Sequence, residues 1–184
     1  MKVRTVLEEI RPTLKHACNI AMLDFLASFE ERRKVSIRGV QYIEFCGDAG
    51  PMFLPLRRAR VRSWKARCPN EMREFYGAFD GLRESKPPLN GNFVPCAAIR
   101  TVAYDLWVDS EAPASISRHA DCPVVFSAAN GDRLIQTNEG KFAWCVVSEG
   151  RVRQAAPDFS TLIKRYIAYR RIPDGQPFDS YGRG

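Results

Sequence analysis

Apolar positions recur at two intervals along the chain, and the change of interval divides it into elements. Leu14, Cys18, Met22, Phe25 and Phe29 lie three or four residues apart, the spacing that gathers side chains on one helix face. Ile20, Leu23 and Leu26 widen that stripe, so a helix is predicted over 12–34, buried on more than one side. Pro12 suits its first turn, where a missing N–H costs nothing. Glu30, Glu31, Arg32, Arg33 and Lys34 read as its polar end. Met72, Phe75, Tyr76 and Phe79 repeat the helical interval behind Pro69 and a predicted N-cap at Asn70, with Gly81 as the stop. Asp158 is predicted to cap a last helix carrying Phe159, Leu162, Ile163, Tyr166 and Ile167, with Arg170 and Arg171 suited to its end.

Elsewhere the pattern turns strand-like. Residues 35–45 are β-branched and aromatic and predict one or two strands, with a turn marked by Gly47, Gly50 and Pro51. Residues 52–67 fit neither interval. A loop is predicted over 84–92, a short strand at Phe93 and Val94, a helix near 96–107, and a polar loop over 109–121. From 122 onward, apolar runs at 123–128, 133–137, 141–147 and 151–154 are separated by Asn130-Gly131, Glu139-Gly140 and Glu149-Gly150, which predicts a β-meander. Asn130-Gly131 reads as a type I′ turn. The elements add up to an α+β fold: a single domain over 1–172, its antiparallel sheet ending in the meander and its helices packed against one side. A loose tail is expected from Pro173.

Composition changes this picture little. The chain has 184 residues, 45% hydrophobic and 27% charged, which suits one domain with its own core at roughly 100–200 residues per domain. No apolar run approaches the ~20 residues of a membrane span. The first ten residues carry no signal-peptide core, because Glu8 and Glu9 interrupt them, so a cytoplasmic protein with no membrane partner is expected. Cys18, Cys46, Cys68, Cys96, Cys122 and Cys145 are widely spaced without a CxxC pair, and read as reduced, buried thiols and not as staples or metal ligands. His16 falls in the first predicted helix and His119 in a polar loop. His119 with Cys122 forms a formal thiol–imidazole pair, without an activating third group and not expected to face one another. Glu71 with Glu74, and Asp105 with Asp109, read as solvated pairs and not as acid–base pairs. Trp107 and Trp144 read as core or groove residues. Phosphate loops, nucleophile elbows and metal-ligand spacings are absent from the sequence; no catalytic residue, metal or cofactor is expected.

Charge supplies the one unusual segment. Lys and Arg number 28 against 21 Asp and Glu, giving +7. Arg57, Arg58, Arg60, Arg62, Lys65 and Arg67 stand together with Trp64 and no acid among them. The run reads three ways: a phosphate-tracking segment with Trp64 stacking on a base, a face for an acidic protein partner, or a solvated basic surface.

The segment Cys68-Pro-Asn-Glu-Met-Arg-Glu-Phe-Tyr resembles the SUKH superfamily, related to the yeast Smi–Knr cell-wall regulators, through Pro69, Arg73 and Phe75. Phe79-Asp80-Gly81 stands where that family has an Asn-Gly-Gly-like turn. Val124-Val125-Phe126 through Asn130-Gly131-Asp132 to Ile135 resembles the family's step from apolar strand through Gly-Asp to apolar strand. Glu139-Gly140 through Trp144 resembles its aromatic strand, and Asp158-Phe159-Ser160 through Ile163 the start of its final helix. The resemblance covers 68–170 and leaves 1–67 as a helix and basic extension. It implies a non-enzymatic module, many bacterial members being immunity proteins that neutralise a toxin by occlusion. It implies a protein partner with, given the +7 charge, an acidic face. The alternative is a nucleic-acid-associated protein using Arg57 to Arg67.

Overall fold

The computed structural model describes residues 4–37, 40–47, 50–55, 68–84, 91–106, 112–128 and 130–172. The strands are β1 (Glu30–Ile37), β2 (Val40–Gly47), β3 (Gly50–Pro55), β4 (Leu82–Glu84), β5 (Gly91–Phe93), β6 (Val124–Ala128), β7 (Arg133–Gln136), β8 (Phe142–Val146) and β9 (Arg151–Ala156). All pair antiparallel with their sequence neighbours in one sheet ordered β1 to β9. The helices are α1 (Arg4–Ile10), α2 (Ala17–Ala27), α3 (Asn70–Phe79), α4 (Val102–Asp105), α5 (Ala114–Ser117) and α6 (Phe159–Arg170). The α+β expectation therefore holds.

Strand alternation sorts the apolar residues into two cores. The larger core packs α1, α2, α3 and α6 against one sheet face and includes Phe45, Met52, Phe93, Leu134, Phe142 and Trp144. Its centre is aromatic: Phe75 lies 5.2 Å from Phe93 and 5.4 Å from Phe159, and Phe93 lies 5.0 Å from Tyr166, between ring centres. Trp144 meets Phe126 edge-on at 5.9 Å, which gives it the core position expected. The smaller core lies on the opposite face, where Val124, Ile135, Ala143 and Cys145 meet Val94, Val102, Ile116 and Cys122. In β8 successive residues therefore alternate between two cores, and all five are buried.

The meander and the last helix form where predicted. Asp158 accepts a hydrogen bond from Thr161 N–H at 2.7 Å, capping α6. The turn type at Asn130-Gly131 differs from expectation. Ala128 N–H donates to Asp132 C=O, and Gly131 N–H donates to Ala128 C=O. The connection thus has three residues, and of its described ones Gly131 takes a positive φ (+95°) while Asn130 does not. Glu139-Gly140 repeats the pattern between Thr137 and Lys141. A third residue at positive φ relieves the twist mismatch that a two-residue turn handles with a primed geometry.

Several boundaries depart further from the sequence pattern. The single helix over 12–34 is cut down to α2, preceded by a 3₁₀ turn at Arg11–Thr13 holding Pro12, and α1 forms ahead of it where no helix is predicted. Its polar end is β1, because 30–37 find a ladder partner in β2, from Glu30 opposite Cys46 to Ile37 opposite Val40. Pro69, not Asn70, occupies the N-cap of α3. Asp80 closes α3 at φ +39°, and its carboxylate accepts from Cys96 N–H at 3.0 Å. Gly81 follows at φ +93°, where a Cβ would stand 2.5 Å from Phe93 C=O. The predicted loop at 84–92 contains the end of β4 and the start of β5, strands too short to show a period. The helix expected near 96–107 shrinks to a 3₁₀ turn and α4, interrupted where Ile99 and Thr101 are extended and Thr101 bridges to Pro123. The polar loop over 109–121 contains α5. The tail from Pro173 lies outside the described residues.

Candidate functional site

The basic run singled out by the sequence, Arg57, Arg58, Arg60, Arg62, Trp64, Lys65 and Arg67, lies outside the described residues, as do Trp107 and Asp109. Chemistry must therefore be sought in the groups that the fold does place.

His119 and Cys122 do come together: Nδ1 stands 3.8 Å from Sγ, against the expectation that they would not face each other. His119 N–H donates to Ile116 C=O and Cys122 N–H donates to His119 C=O, each at 2.9 Å, and this turn brings the two side chains together. Their protonation states are those of a resting pair. Burial pushes the Cys122 thiol up and the His119 imidazole down, so neither the thiolate nor the imidazolium is favoured. The Cys122 side chain is fully buried, so no substrate reaches it. Burial likewise raises Cys18 and Cys96, Cys68 to about 11 and Cys145 to about 12. All six thiols are free, five of them buried and Cys46 half-buried.

One carboxylate of each sequence pair, Asp105 and Glu74, is engaged in structure. Asp105 forms an ion pair with Arg133, whose Nη1 also donates to Gly131 C=O at 2.7 Å, clamping the β6–β7 connection. Asp132 is 2% exposed and accepts from Val147 N–H at 3.0 Å and Asn130 Nδ2 at 2.9 Å. The Asn130-Gly131-Asp132 step is thus an internal brace joining two hairpins. Glu74 is held by Lys15, His16 and Asn19 at the start of α2. Among the described residues no cluster of His, Cys, Asp and Glu could hold a metal ion. No described helix is long and apolar enough to cross a membrane.

Two surface features remain. A cleft of about 430 Å³ lies between α1, α2 and the start of the sheet, lined by Leu7, Glu8, Arg11, Leu23, Ala27, Phe29 and Phe45. At its edge Arg11 is paired with Asp24. The second feature is the sheet face of β1–β5 turned away from α1, α2, α3 and α6. Ladder partners share a face, and one row runs Arg33, Glu44, Phe53, Arg83, Asn92, Ser127 across β1 to β6. Tyr42 stands two residues from Glu44 on the same side, with Val35 opposite it. Tyr42, Val35 and Phe53 are half-buried and belong to neither core, whereas their neighbours Ile43, Phe45, Met52 and Leu54 are buried on the helix side. Sequence reasoning missed this face. The alternation through Gln41-Tyr-Ile-Glu-Phe45 signals that two faces differ, but not which elements cover each.

Comparison with protein-family models, with curated proteins and with solved structures finds no match for this chain.

Proposed function

We propose that this chain is a cytoplasmic, non-enzymatic protein-binding module that acts by sterically occluding a protein partner. The reading takes its class from the resemblance of 68–170 to SUKH immunity proteins. The observation that carries it is the sheet face of β1–β5, whose half-buried Tyr42 and Phe53 lie outside both cores. A contiguous mixed face of this kind suits an interface, since interface centres are aromatic and their rims polar. It offers shape and contact area and requires no reacting group.

The test is affinity capture with the full chain in its own cells, followed by reconstitution from purified components. One protein bound in fixed stoichiometry, without chemical change to either chain, is the expected result. Retention of nucleic acid alone, with affinity falling steeply as salt rises, establishes the alternative in which Arg57 to Arg67 track phosphates. Capture of no protein at all overturns the reading.

A further inference from the structure

We propose that the face of β1–β5 turned away from α1, α2, α3 and α6 docks an acidic protein surface, with Tyr42 and Phe53 at its centre and Arg33 and Arg83 presenting cations. The proposal rests on the protein-binding reading above and adds the place and the chemistry of the partner.

Three observations set the face and its charge. Register puts Arg33, Glu44, Phe53 and Arg83 in one row over four adjacent strands, so their side chains emerge on the same side. Glu44 and Arg33 are unequal partners. The Glu44 side chain is 12% exposed and accepts from Arg33 Nε at 2.8 Å, whereas the Arg33 side chain is 72% exposed. The carboxylate thus sits under the guanidinium, and the group that reaches outward is the cation. Arg83, exposed on β4, adds a second cation in the same row. The aromatic centre lies between them, Phe53 directly opposite Glu44 and Arg83, and Tyr42 one step along β2.

Charge complementarity selects the partner. The chain carries +7 overall, and Arg33 and Arg83 reach outward from this face. Complementary charge orients and speeds docking and suppresses wrong partners, so a surface negative in this region is the match. A nucleic acid matches less well. Single strands bind where rings are free to stack and several cations are free to meet phosphates. Here the rings are half-buried and one of the two cations covers a carboxylate.

The closing experiment uses the partner captured by the full chain and compares wild type with Arg83→Glu, Arg83→Lys and Lys164→Glu. Lys164 is exposed on α6, on the far side of the sheet. Circular dichroism of each variant confirms its fold. Arg83→Glu is expected to weaken binding at least about tenfold, with a slower on-rate at low salt, while Arg83→Lys and Lys164→Glu stay within about twofold of wild type. A captured partner that binds Arg83→Glu as tightly as wild type leaves the protein-binding reading standing and overturns this placement. Tighter binding by Arg83→Glu overturns the acidic partner. Capture of nucleic acid alone, or of nothing, overturns both.

Discussion

Glu74 accepts four hydrogen bonds on its two carboxylate oxygens. Oε1 receives His16 N–H and Asn19 Nδ2, each at 3.0 Å, and Oε2 receives Lys15 N–H and His16 Nδ1, each at 2.9 Å. A carboxylate only accepts, so the proton on His16 belongs on Nδ1. Burial alone would raise the pKa of Glu74, but the bonds from Asn19, from the backbone of His16 and Lys15 and from the His16 ring outweigh it and hold the group below its ordinary value of 4.5. A lowered folded-state pKa means that Glu74 contributes its full stability above the unfolded value and loses it as pH falls through the folded one. Glu74→Gln puts an amide donor against donors and is expected to cost about 1–3 kcal/mol at neutral pH. The difference from wild type should narrow as pH drops below about 4.5, and urea unfolding at a series of pH values measures it. The sequence shows Glu74 only as an acid in the first turns of a helix. Its partners lie 55 to 59 residues away, and no local pattern points to them.

The elements differ in how much of their definition is local. Helix α6 has a cap at Asp158, a clear apolar stripe and a basic end, and it appears where the pattern places it. The meander strands are bounded by glycine turns whose positive φ is a local requirement. By contrast, 30–34 have the composition of a helix end and become the start of β1, because the ladder to β2 overrides propensity. The first strand and the interior of the meander should therefore differ in stability. Both faces of β8 are buried and both its sides are paired, whereas among the described residues β1 has a strand on one side only. Amide hydrogen exchange is expected to be slowest in β8, and fastest among the strands at the β1 amides that point away from β2. Equal protection of β1 and β8 contradicts this ranking.

Across the whole molecule, one core links residues near both ends of the chain. Leu7, Met22, Phe75, Phe126 and Tyr169 belong to the same buried cluster, so the N-terminal segment and residues 68–170 share their packing. Unfolding in denaturant should be a single transition, with far-ultraviolet and near-ultraviolet dichroism coinciding. Two separated transitions would show the N-terminal segment to be an independent unit. Taken alone, the sequence determined the α+β class, the meander with its glycine turns, and the stripes of α3 and α6. These follow from side-chain period and backbone conformational preference, which act within a few residues. Only the tertiary structure decided that Cys122 meets His119, that Glu74 ties α2 to α3, and that Tyr42 and Phe53 lie outside both cores while Ile43 and Met52 lie inside one. Burial and hydrogen-bond partnership depend on chain segments distant in sequence, and an alternating strand carries the same pattern whichever of its faces is covered.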